Sequence, residues 1–385
     1  MAIPSDPDPS HPSGFRESLY RLTHGRQALL WLALGLAPAF SVTAIVSEAH
    51  RAEYRTLAYE WRIEGENALR AGRSDDAIEA FRSALRFARE DRTLRLRLAE
   101  ALAAADRGVE ARAYLQGLWQ EQPGNGRVNL ELARVAAAEG NAAAASRYYQ
   151  NAIQGAWDDD AEQRRRETRL EHATFLVEQN LHARAEAELI ALAADLPPDA
   201  EMRPRTGRLL AAAGSHRRAL DVFDTALKMD PQDLEALRGA GAAALALGDH
   251  AAVVRYLQRV PAGDAGPELA FTLDVSRQVL GLDPYRRGLS SRERAARARR
   301  ALERAGARLR GCEDPAAELV DLRERAAAVL RTETIAVLAR DPERLDDGFA
   351  QAVAAIRASE PACGPLTPAD RALLLLGAVA PETGQ

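Results

Sequence analysis

Lysine is almost missing: of the 51 basic residues in this 385-residue chain, Lys228 alone is not arginine. A phosphate loop of the GxxxxGK[ST] type is thereby excluded, and Schiff-base chemistry is confined to one position. Aromatic residues are also scarce, at 5% of a chain that is 47% hydrophobic, so alanine carries much of the apolar content. Alanine packs helices closely and gives little to a sheet or an aromatic-lined pocket, which makes an all-α fold the first expectation. Cysteine occurs twice and never as CxxC, and neither HExxH nor GxSxG is present. No catalytic constellation, metal site or cofactor is expected from such a set. The net charge of −5 argues against nucleic acid as a partner, because that binding depends on surplus positive charge.

One stretch lacks charge altogether. Residues 27–47, QALLWLALGLAPAFSVTAIVS, would span about 30 Å as a helix, the thickness of a bilayer core. The expectation is a polar tail (1–26), a transmembrane signal anchor (27–47) and a linker (48–57). The alternative is a cleaved signal peptide, with Ser47 and Ala49 as the small residues at the cleavage site. Arg16, Arg21 and Arg26 before the span balance Arg51, Arg55 and Arg62 after it, so the positive-inside rule does not choose an orientation. A short tail, one early helix and a long domain suggest a single-pass protein of a bacterial inner membrane with its bulk in the periplasm.

Small residues recur along the middle of the chain. Steps of 34 from Gly65 reach Ala99 and Ala133 and, after six extra residues, Ala173, Gly207 and Gly241. Twelve positions later stand Ala77, Ala111, Ala145, Ala185, Ala219 and Val253. Four further on are Phe81, Leu115, Tyr149, Leu189, Phe223 and Leu257. Gly72, Asp106, Gly140, Asn180, Gly214 and Gly248 lie between the two small positions, where a left-handed turn suits them. The pattern resembles the tetratricopeptide repeat (TPR), of period 34, in units 58–91, 92–125, 126–159, 166–199, 200–233 and 234–267. Pro123, Pro197 and Pro231 stand at the proline position that closes a unit; Arg89, Trp157 and Ala265 depart from it. The six extra residues, 160–165, read as a longer loop.

The resemblance implies a solenoid of about six helix hairpins whose first helices line a concave groove for a protein or peptide. Carried onto this sequence, the inward positions include Arg62, Glu66, Leu69, Leu96, Leu130, Arg134, Arg208, Arg238 and Leu245. Any one of these arginines reads equally well as a solvated helix-face residue. The lysine and asparagine set with which some relatives grip a C-terminal carboxylate is missing. His182, His216 and His250 repeat with the array, but equivalent positions about 10 Å apart cannot converge on one ion, whose ligands lie about 2.1 Å from it.

Beyond residue 283 the register is lost while helical signals continue. Ser290 caps a helix to Arg310 whose Ala295, Ala298, Leu302, Ala305 and Leu309 form one stripe, with arginines on its other faces. Further helices are expected over 316–340, 342–359 and 368–378, so that region 268–385 caps the solenoid. Cys312 and Cys363 sit in comparable turns and suit either a structural disulfide or two buried thiols. The function expected is a membrane-anchored scaffold or adaptor in envelope assembly, secretion or export. The alternative is an enzyme or regulatory protein whose active part is 283–385.

Overall fold

Where small residues recur on two consecutive helices, the helices cross closely, and the chain folds into hairpins accordingly. The computed structural model describes residues 14–197, 201–312 and 317–379, with the backbone alone for residues 14–33, 35, 37–39, 317, 318 and 379. The chain divides between Asp158 and Asp159 into two compact units. The first holds three hairpins: α1 (Gly14–Arg70) with α2 (Ser74–Phe87), α3 (Arg92–Ala104) with α4 (Gly108–Glu121), and α5 (Gly126–Ala138) with α6 (Ala142–Gln154). The second opens with α7 (Ala161–Glu178) and α8 (His182–Asp195), α9 (Arg203–Ala212) and α10 (His216–Met229), and α11 (Leu234–Ala246) and α12 (His250–Leu257). It continues through α13 (Ala262–Leu282), α14 (Ser291–Arg310), α15 (Ala317–Thr332), α16 (Ile335–Leu338), α17 (Pro342–Ser359) and α18 (Pro368–Val379). Among the described residues the fold is all-α, the one extended contact being an isolated bridge between Asn125 and Ala156.

All six hairpins turn the same way. Gly72, Asp106, Gly140, Asn180, Gly214 and Gly248 all have positive φ. The next residue then donates its N–H back to the carbonyl five positions earlier, as in Arg73 to Ala68 (2.9 Å), Leu181 to Leu176 (2.8 Å) and Asp249 to Ala244 (2.9 Å). This closure satisfies helix-end carbonyls that would otherwise lack partners. Ala77, Ala111, Ala145, Ala185 and Ala219 are fully buried beside Phe81, Leu115, Tyr149, Leu189 and Phe223. Ala99 and Ala133 are likewise sealed. A β-carbon at Gly65 would stand 2.6 Å from Phe81, and one at Gly207 2.7 Å from Phe223. The close approach requires glycine at both positions, and Gly241 meets Leu257 in the same way.

Three expectations need correction. Residues 48–57 are no linker, because α1 runs unbroken through them into the first hairpin; Glu48 pairs with Arg51 and Arg55 along it. The extra residues near 160–165 do not lengthen a loop: α7 begins at Ala161, so five of them extend the first helix of its hairpin. The helix expected over 316–340 breaks at Thr334, whose hydroxyl accepts the Val337 N–H and starts α16. The apolar run 27–47 falls largely on residues whose side chains lie outside those described. Among the described residues, no helix is long and apolar enough to cross a membrane.

The end of the second unit departs from hairpin order. Helix α13 kinks at Gly266 and packs against α18, from the far end of the chain, far more than against α14, the next helix in sequence. Helix α18 thus takes the place a following second helix would hold. Around α14 gather α15, α16 and α17, in a core that includes Leu302, Leu309, Phe349 and Ile356.

Candidate functional site: the first-helix faces

In the first unit, the positions expected to face a groove form a ladder of ion pairs. Arg62 lies 4.0 Å from Glu66, and Glu66 lies 3.9 Å from Arg97 on the next first helix. Arg97 then pairs with Glu100 at 2.8 Å, and Glu100 with Arg127 on α5 at 2.7 Å. The Arg62 guanidinium also lies 5.0 Å from the centre of the Tyr59 ring. Arg134 pairs with Glu131 at 2.7 Å. Leu69 is half-buried, and Leu96 and Leu130 are each only 9% exposed. The two leucines therefore serve the interior and offer little surface to a ligand. The face as a whole is polar and largely neutralises itself.

The second unit is more open. Its first helices α7, α9 and α11 border a cleft of about 700 Å³ lined by Glu167, Glu171, Met202, Arg205, Arg208 and Glu235, among others. Arg208 lies 2.6 Å from Glu235 across it, and both remain well exposed. The wall is fixed behind by Arg203, which is buried and donates to the carbonyls of Leu196 (2.5 Å) and Pro197 (2.8 Å) at the end of α8. Arg238 is held by the Asp264 carbonyl at 2.5 Å. Leu245 stands apart from these charges, 40% exposed, in an apolar trough beside α13 and α18.

The histidines do not converge. His182, His216 and His250 begin α8, α10 and α12, and among the described residues no group of metal-ligating side chains forms. His172 is sealed in the second unit with Glu188 3.7 Å from its Nδ1. Burial, helped by the Arg184 charge, nonetheless pulls its pKa down to about 4.

The arginines of α14 serve neighbouring helix ends. Arg297 donates to the carbonyls of Leu280 (2.8 Å) and Asp283 (3.1 Å) at the close of α13. Arg299 does the same for Leu330 (3.2 Å) in the last turn of α15 and Glu333 (2.6 Å) just after it. Arg308, its side chain 7% exposed, pairs with Asp370 at 3.2 Å and donates to the Gly364 carbonyl at 2.7 Å and the Ser359 hydroxyl at 2.9 Å. Asp370 and Thr367 form a reciprocal capping box at the start of α18. Beside this cluster Cys312 and Cys363 form a disulfide, their Cα atoms 4.7 Å apart. Nothing in the arginine spacing of α14 marks the carbonyls it meets, since those lie up to 57 residues away in sequence.

Family models of the tetratricopeptide repeat match residues 64–126 and 210–273. The chain carries TPRs over those two stretches, and no curated protein matches it. Among solved structures it is similar to YrrB, described as a TPR protein with an unusual peptide-binding site, at 19% identity and a TM-score of 0.40, covering 52% of this chain and all of that one. The pilus biogenesis factor PilW matches at 17% identity and a TM-score of 0.42, covering 56% of this chain and 98% of its own. A TPR protein from Parabacteroides merdae matches at 14% and 0.40, over 71% and 99%. Likenesses this distant carry no partner or pathway to this chain.

Proposed function

We propose that this protein is a membrane-anchored TPR scaffold that holds a protein partner on its first-helix faces, principally in the second unit. The observation that carries the reading is the open cleft of about 700 Å³ on α7, α9 and α11, where Arg205, Arg208 and Glu235 reach solvent. Charges so placed set encounter rate and specificity more than raw affinity. Anchoring is supported by Leu34, Leu36, Phe40, Val42, Ile45 and Val46, all exposed on α1, within the uncharged run 27–47. The helix passes from that run into the first repeat without a break. A disulfide in the second unit fits an oxidising compartment, hence the periplasmic side of a bacterial inner membrane and a role in envelope assembly or export.

A photoreactive benzophenone side chain at position 208 of the full-length, membrane-embedded protein is expected to capture a discrete protein, and one at position 86 on α2 is not. With the probe kept at position 208, Arg205→Glu should weaken that capture and its salt sensitivity while leaving helix content unchanged. Equal capture at both positions overturns the assignment of the cleft. For topology, a C-terminal alkaline phosphatase fusion should be active and a fluorescent-protein fusion exported through the same route dark; the reverse pair places the repeats in the cytoplasm.

A further inference from the structure

The trough beside Leu245 belongs to neither the ion ladder nor the charged cleft. Its floor is α13, through Phe271, Val275 and Val279; its sides are Leu245 on α11 and Leu375 and Leu376 on α18. The void is about 570 Å³, and α13 from Phe271 to its end at Leu282 runs along about 17 Å. Phe271 is 42% exposed, so a large apolar ring faces this space uncovered.

Polar groups along the trough are already engaged. The Thr272 hydroxyl donates to the Glu268 carbonyl (2.9 Å), and the Asp283 carboxylate accepts the Tyr285 N–H (2.8 Å). His250 Nδ1 lies 3.1 Å from the Ser276 hydroxyl, and burial holds that imidazole below the usual histidine range. The remaining cation is Arg371, exposed on α18, whose guanidinium has no ion pair among the described residues. A peptide laid in the trough would bring its amide groups mostly against the apolar side chains of Leu245, Phe271, Val275, Val279, Leu375 and Leu376, and each unmatched group costs affinity. A hydrocarbon chain brings no such groups, gains from apolar burial, and has one ionised end for Arg371 to meet.

We propose that this trough binds a long-chain fatty acid, its chain along α13 and its carboxylate on the Arg371 guanidinium. The site is independent of a protein partner in the charged cleft. The test uses full-length protein in lipid nanodiscs, a diazirine-bearing analogue of palmitic acid, and mass-spectrometric mapping of the adducts. Label should concentrate on peptides containing residues 271–283 and 371–376, and should be displaced by palmitate but not by hexadecanol, which lacks the charge. Arg371→Gln should lower trough labelling about tenfold, equivalent to about 1.4 kcal/mol. Leu245→Asp, at an exposed position that tolerates the change, should lower it as well, whereas Arg277→Gln, on α13 outside the trough, should not. Adducts confined to residues 27–47, equal displacement by hexadecanol, or an Arg371→Gln protein labelled like wild type would each overturn the proposal.

Discussion

The hairpins and the C-terminal bundle use the same residue type for opposite purposes. In the hairpins of the first unit, alanine, glycine and leucine make up much of the core, and the arginines that bridge first helices stay on helix faces, paired with carboxylates. In the second unit buried Arg203, between two hairpins, already binds carbonyls as the bundle arginines do. In the bundle, arginines from α14 reach between helices and bind carbonyls where α13, α15 and α17 end. The difference follows from how each region closes its helices. A hairpin turn with positive φ satisfies its own carbonyls; a bundle of irregular turns leaves them for side chains to satisfy. An arginine run is therefore no measure of surface charge until the helix ends around it are known.

That contrast can be broken most directly at Arg308. Arg308→Ala leaves Asp370, 1% exposed, with the partly exposed Arg304 as its remaining ion partner, and breaking a buried pair costs up to about 3 to 5 kcal/mol. Hydrogen exchange should show α17 and α18 losing protection while the hairpins of the first unit keep theirs. Reducing the disulfide, whose cysteines are separated by 51 residues, should cost about 4 kcal/mol on the chain-entropy model, again read by exchange in α14 and α17. If either change loosens the repeats first, the bundle does not stand on its own contacts.

The repeat side is tested by acid. His172 has a folded pKa of about 4 against an ordinary 6.5, so between those values the unfolded chain binds a proton that the native one refuses. Its contribution is complete above pH 6.5, falls as pH drops toward 4, and amounts to about 3 kcal/mol at most. Denaturant titrations across that window should show a steeper loss for wild type than for His172→Gln. Ala219→Leu adds volume where no space remains and should cost about 1 to 3 kcal/mol; a variant that melts like wild type would refute the crossing geometry. Smallest is Arg97→Ala, in the half-exposed ladder, at about 0 to 1 kcal/mol, at most about a third of the Arg308 effect.

The sequence was most readable where one residue type has one physical use. Gly72, Asn180 and Gly248 announce turns because left-handed backbone excludes most other residues, and Gly65 and Gly207 announce crossings because a β-carbon does not fit. Trp157 was opaque: it stands where a proline was expected, yet its indole packs over Gly126 and donates to the Ala152 carbonyl at 3.0 Å, beside the Asn125 to Ala156 bridge. Leu96 and Leu130 share the inward register with exposed Leu245, but they are buried and it is not, a difference that periodicity does not record. The carbonyl partners of Arg299 and Arg308 lie 31 to 57 residues away, beyond any local pattern.

The pairing of α13 with α18 sets an order on the making of the protein. A repeat array can assemble as it emerges from the ribosome, because each hairpin needs only the one before it. Helix α13 instead waits for a partner that begins at Pro368, 86 residues after Leu282. Until then its apolar side, with Val275 and Val279, lacks that cover, so this part of the fold closes only once α18 has been made, and a transcript cut short before α18 would leave that face bare.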